Sequence, residues 1–172
     1  MLLKFKPVQT SDLPLIGSWM AQPHWREWWG EPEIELGYIK DMLEGRDPTK
    51  PFLFLLDDEP VGYIQYWKIK DAKVPPWNVQ SPWVMDFDDD TIGVDLSIGP
   101  VNQLSKGLGT AALSSFVERL GKEGFTKIII DPDSENKRAI RAYEKSGFVP
   151  IKVAKEQDGS VLLMEWRGSS SP

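Results

Sequence analysis

The sequence predicts a mixed α/β fold, a mostly antiparallel central sheet with one parallel strand pair and flanking helices. Three observations carry this. Ile92–Ile98 (IGVDLSI) alternates apolar with small or polar residues, the period-two signature of a strand, and leads through a glycine-containing turn into an apolar-periodic helix. Residues 126–131 (TKIIID) are a short β-branched run, of the kind found in parallel strands covered on both faces. Residues 51–67 and 148–166 each read as strand, turn, strand.

Taken in order, residues 2–7 (LLKFKP) alternate apolar and basic residues as a first strand. Ser11 or Asp12 can then cap a helix carrying Leu13, Leu15, Ile16 and Trp19. Residues 23–30 (PHWREWWG) hold Trp25, Trp28 and Trp29 in five positions. Two readings stay open for them: rings that wedge a short helix onto the core, or an apolar wall of a substrate pocket beside Glu27. Residues 34–44 form a second amphipathic helix, ended by Gly45 and Asp47-Pro48. The first hairpin pairs residues 51–56 with 61–67 around the acidic turn DDEP.

Residues 68–90 read as one long irregular segment with Pro75, Pro76, Pro82, Trp77, Trp83 and a terminal DFDDD run. The run is expected as a solvated loop tip, the alternative being a flap that closes over a polycation with Trp77 or Trp83 adding cation–π contact. Residues 136–148 are a helix stopped by Gly147, and the closing hairpin turns at Gln157-Asp158-Gly159. Residues 1–167 are expected as a single domain and 168–172 as a disordered tail.

Composition narrows the function classes. The 172 residues carry 26 acidic and 20 basic side chains, a formal charge of −6, so nucleic acid and anionic membranes are poor partners and a cationic ligand is favoured. No apolar run reaches transmembrane length, and the first residues lack a signal-peptide pattern, so a cytoplasmic location is expected. There is no cysteine, the only histidine is His24, and no ligand cluster has zinc spacing, so no metal is expected.

The turn Lys106-Gly107-Leu108-Gly109-Thr110 opens the helix that follows Ile92–Ile98. Such a turn leaves backbone N–H groups free at a helix N-terminus, where a phosphate or pyrophosphate is the natural guest. It is not a Walker A loop, because no Gly-Lys-Ser/Thr closes it, and it lacks the third glycine of a dinucleotide fingerprint. Asp95 is a carboxylate inside an otherwise apolar strand, which costs free energy unless the group is paired or working. Asp131 closes a buried strand at its C-terminal end, where α/β sheets commonly place ligands; a turn aspartate before Pro132 is the alternative. Tyr143 follows Asn136 by seven residues, two helical turns along one face.

With these segments in hand, a resemblance is specific. The run DPxxxNxRAIRxYEKxGF, residues 131–148, resembles the GCN5-related N-acetyltransferases (GNAT), and most of all the aminoglycoside 6′-N-acetyltransferases. Glu27-Trp28-Trp29-Gly30, Pro60-Val-Gly-Tyr63, Gly93-Val-Asp95 and Ser105-Lys-Gly-Leu-Gly-Thr110 fit the same pattern. One departure is Leu104, where the family has Gln or Arg, with Gln103 one position earlier.

The resemblance implies a sheet splayed at Gly99-Pro100 and acetyl-CoA as cosubstrate. Its phosphates would lie on Lys106, Gly107, Leu108, Gly109 and Thr110, its pantetheine arm near Asn136, and the oxyanion on a backbone N–H near Ser97 or Ile98. It further implies Asp95 as the group that holds the amine and takes its proton, Tyr143 as the acid beside the departing sulfur, and Asp131 with Glu27, Trp28 and Trp29 as binders of a cationic amine. The implied activity is acetylation of the 6′-amine of aminoglycosides, as a monomer or homodimer. Another amine acceptor (a siderophore hydroxylamine or a polyamine) and a non-catalytic acyl-CoA-binding domain remain the alternatives.

Overall fold

The computed structural model describes residues 2–168. Its seven strands run in the order β1-β2-β3-β4-β5-β7-β6: β1 Leu3–Pro7, β2 Lys50–Leu56, β3 Glu59–Lys68, β4 Ile92–Ile98, β5 Ile128–Ile130, β6 Phe148–Lys155 and β7 Ser160–Trp166. One pair is parallel, β4 with β5, in the register Ile92↔Ile128 and Gly93↔Ile129. All three residues of β5 are buried, as a strand covered on both faces requires. The chain divides into two compact units. The first runs to Gln65 and adds Leu96–Ala112; the second takes Tyr66–Asp95 and the described residues from Leu113 on.

In the first unit three helices precede β2: α1 Leu13–Met20, α2 Pro23–Trp28 and α3 Pro32–Leu43. Each has a proline in its first turn, where the fixed φ suits the helix and the missing N–H costs nothing. Asp12 ties the entry to α1, accepting from the Gln9 N–H at 2.8 Å and from Lys6 Nζ at 2.7 Å. The β2–β3 turn sets Asp57 and Asp58 at φ 49° and 68°, the left-handed pair that matches hairpin twist. The core of this unit is Val8, Ile16, Trp19, Met20, Trp25, Ile39, Leu53 and Tyr63.

In the second unit the expectation of an irregular 68–90 segment is overturned. The segment holds α4 Ile69–Ala72, α5 Trp77–Gln80 and a 3₁₀ turn Pro82–Asp86. Ile69, Trp83 and Val84 are buried against Ile129, Ala154, Val161 and Leu163, so Trp83 is core rather than part of a flap. One-turn helices carry no 3.6-residue periodicity, which is why the sequence pattern concealed them. The acidic run is exposed and paired with lysines: Asp88 and Asp90 with Lys127 at 2.7 and 3.3 Å, Asp89 with Lys73 at 2.7 Å and Asp86 with Lys152 at 3.5 Å. It is the solvated tip the sequence suggested.

Two further helices complete the chain, α6 Leu108–Lys122 and α7 Lys137–Lys145. Among the described residues no helix is long and apolar enough to cross a membrane. The expected tail lies, beyond Gly168, outside the described residues.

Candidate active site

The chemistry-bearing side chains of the second unit converge on Asp95. Strand alternation puts Gly93 and Asp95 on one face of β4. Trp67, near the end of β3, lies across that face: a Cβ added at Gly93 would sit 2.3 Å from the indole Cζ2 and 2.4 Å from Cε2. Only glycine admits the ring there, and the ring then reaches Asp95, Nε1 donating to Oδ2 at 2.8 Å.

Asp131, directly after β5, shares a side-chain hydrogen bond with Asp95. Its carboxyl is held well above the usual carboxylate range, first by burial, then by the charges of Asp95 and Glu156, then by the bond to Asp95. Two hydrogen-bonded carboxyl groups resist double ionisation, and the direction at Asp131 is upward. Tyr143 on α7 faces the same pair. Burial, followed by the negative charges of Asp95 and Asp131, pushes its hydroxyl above the ordinary phenol range. Asp131 and Tyr143 both keep part of their surface open while lying deep among protein atoms, so each can meet a ligand from one side.

Glu156, which follows β6, is a third carboxylate near this pair. Its Oε2 accepts from Trp83 Nε1 at 2.7 Å and from Ser81 Oγ. Neither Asp131 nor Glu156 has a lysine or arginine partner among the described residues, unlike the exposed aspartates 88–90. Among the described residues there is no cluster of three or more ligands suited to a metal ion.

The first unit carries the loop at the start of α6. Ser105 and Gly107 have φ of 61° and 78°, and a Cβ at Gly107 or Gly109 would meet nothing within 4 Å. Open space therefore lies beside the turn that starts α6, with Lys106 exposed next to it. A phosphate group fits such a cradle. At the end of β4, the Ile98 carbonyl accepts from His24 Nε2 at 2.8 Å and from Ser97 Oγ at 3.1 Å. A carbonyl only accepts, so Nε2 of His24 carries the proton. The Gly99 N–H is bonded to Val61 O on β3 at 2.8 Å, so alternation turns the Ile98 N–H to the opposite edge of β4.

The remaining expected site residues are distributed unevenly. Trp29 is half-buried and packs against the core of the first unit, its ring centroid 5.2 Å from that of Trp25 and 5.9 Å from that of Tyr63. Trp28 is half-buried and Glu27 exposed on α2. Asn136 caps α7, its Oδ1 accepting from the Ala139 N–H at 3.3 Å. Sequence reasoning missed Trp67, Glu156 and His24. A signal existed only for His24, the one histidine of the chain.

The carboxyl pair of the second unit, with a phenol facing it, suits acid–base chemistry, and the turn before α6 in the first unit is of a kind that accepts phosphate. Residues 9–155 match the family model described as acetyltransferase (GNAT) domain, and the chain belongs to that family. It is 32% identical over 161 residues to the aminoglycoside N(6′)-acetyltransferase type 1 of Klebsiella pneumoniae, covering 89% of this chain and 77% of that protein. The protein of the same description from Serratia marcescens matches equally. Among solved structures, aminoglycoside acetyltransferase AAC(6′)-Ib with coenzyme A and kanamycin superposes with a TM-score of 0.82 at 28% identity, covering 95% of this chain and 94% of that one. The AAC(6′)-Ib complex with paromomycin and acetyl-CoA gives a TM-score of 0.84 at 27% identity, covering 96% and 93%.

Proposed function

We propose that the chain transfers an acetyl group from acetyl-CoA to the 6′-amine of aminoglycoside antibiotics. The observation that carries this reading is the Asp95–Asp131 carboxyl pair beside Tyr143, in a chain 32% identical to an aminoglycoside N(6′)-acetyltransferase.

In this reading Lys106 and the N–H groups of residues 107–110 hold the CoA phosphates, and the open space at Gly107 and Gly109 supports that fit. Acetyl-CoA, when bound, supplies the thioester as acyl donor and the CoA thiol as leaving group. Asp95 takes a proton from the incoming ammonium, directly or through a water, which frees the nitrogen lone pair to form the C–N bond. An N–H near Ser97 or Ile98 donates to the carbonyl oxygen as it becomes anionic; the edge-facing Ile98 N–H supports this role. As the C–S bond breaks, Tyr143 donates a hydrogen bond to the sulfur, which finishes protonated with the second amine proton.

Full proton transfer from Tyr143 is disfavoured, since a phenol raised above its ordinary range is a much weaker acid than a thiol of pKa about 8.5. Asp131 accepts a hydrogen bond from a second ammonium of the substrate through the oxygen that does not carry the pair's proton, and Glu27, Trp28 and Trp29 contribute from α2 and the residue after it. Asn136 contributes to the pantetheine arm from the start of α7.

The test is CoA release with kanamycin, tobramycin and gentamicin as acceptors. Saturable turnover of aminoglycosides with a free 6′-amine, and none of 6′-blocked analogues, is the expected result. Turnover only of other amines would reassign the acceptor; acetyl-CoA binding with no turnover on any amine would refute the enzyme reading.

A further inference from the structure

We propose that Trp67 is a positioning residue for the proton chemistry: its indole N–H, set in place by the bare Cα of Gly93, holds one oxygen of Asp95 as carboxylate and leaves the proton of the carboxyl pair on Asp131. The proposal rests on the acetyl-transfer reading for its consequence in catalysis, but the ligand-free protein is enough to test it.

The geometry is over-determined. The indole lies on Gly93 closely enough that any side chain there would displace it, with a Cβ 2.3 to 2.9 Å from three ring atoms. Trp83 stands 6.4 Å from it, anchored in turn by Nε1 to Glu156 and by Phe87 at 6.0 Å. So placed, Nε1 is 2.8 Å from Asp95 Oδ2.

An indole N–H donates and never accepts, so it rewards an oxygen with a free lone pair and offers nothing to a protonated O–H. Asp95 is thereby favoured as the ionised member. The titratable groups facing the pair are Tyr143 on α7 and Glu156 after β6, and burial and the charge of Glu156 oppose further ionisation of the pair. Trp67 counters them from β3. A base that starts ionised can accept the amine's proton, whereas a protonated one cannot, so the indole's placement bears on the rate through Asp95 alone.

The experiment replaces Trp67 by benzothienylalanine, whose sulfur removes the donor while keeping the ring shape, and in parallel by Phe. The aspartate side-chain carboxyl carbons are then titrated by ¹³C NMR in the ligand-free protein. The expected result is an upward shift of about one pH unit in the titration of the Asp95–Asp131 pair. The acidic limb of kcat/KM for the amine should follow, with KM for acetyl-CoA unchanged. If Trp67→Phe does not fold, the isostere alone decides. An unmoved titration in either folded variant overturns the proposal, as does a lowered kcat whose acidic limb stays in place, which would mean packing only. Should the wild-type protein turn over no amine at all, the functional reading fails by itself and the NMR titration still decides the role of Trp67.

Discussion

Two clusters of tryptophan occupy this chain, and they differ in what their N–H edges meet. In the first unit Trp25 is fully buried, packs on Trp29 and Tyr63, and its Nε1 finds no partner among the described residues. In the second unit Trp83 is buried and Trp67 half-buried, and each directs Nε1 at a carboxylate, Glu156 and Asp95 respectively. The first cluster is apolar filling that tolerates an unsatisfied donor. The second couples packing to charge, because a donor fixed by the core fixes the acceptor too. A density of indoles therefore marks a core as readily as a site; the partner of the N–H tells them apart.

The contrast can be broken most forcefully at Asp95. Asp95→Asn should lower kcat by about 10²- to 10⁴-fold while leaving acetyl-CoA affinity intact, measured by steady-state kinetics beside calorimetric titration. Equal loss of both would make Asp95 structural, like Trp25.

Trp25→Ala should do the reverse, removing about 3–5 kcal/mol of stability in chemical denaturation with kcat per folded molecule preserved. A catalytic defect in well-folded protein would move the first cluster into the site.

Tyr143→Phe should slow turnover by about 10- to 100-fold, the worth of one hydrogen bond to a developing thiolate. With the hydroxyl raised above its ordinary range, the wild-type enzyme should show no basic limb from this group near pH 10. Such a limb, abolished in the Phe variant, would show that the phenol ionises.

The smallest effect is one of stability. Asp131 has a raised pKa in the folded state, so its contribution is most favourable below the unfolded value near 3.9 and is lost as pH rises toward the folded value. Asp131→Asn should therefore raise Tm at neutral pH, with the gain vanishing by about pH 4. A gain independent of pH would point to packing instead.

Much of this was legible in the chain itself. The strand bounds Ile92–Ile98 and Ser160–Trp166 agree with the structure, because alternation and Gly/Asp turns are local signals. The 68–90 segment was not legible. Its helices are one turn long, and the burial of Ile69 and Trp83 comes from residues far along the chain. Among the site residues, Asp95, Asp131 and Tyr143 stood out because polar groups in apolar strands or on a patterned helix are conspicuous in sequence.

The sequence by itself determined the family, the order of the main strands and helices, the glycine turn before α6 and the carboxylates that stand against an apolar background. Each is a matter of residue type, spacing or local backbone preference. Only the tertiary structure decided that Asp131 shares a hydrogen bond with Asp95, that the indole of Trp67 is bonded to Asp95, and that Glu156 lies near enough to act on Asp131 by its charge. These residues lie tens of positions apart, and burial, which sets both their proton affinity and their hydrogen bonds, arises from packing that no local window of sequence contains.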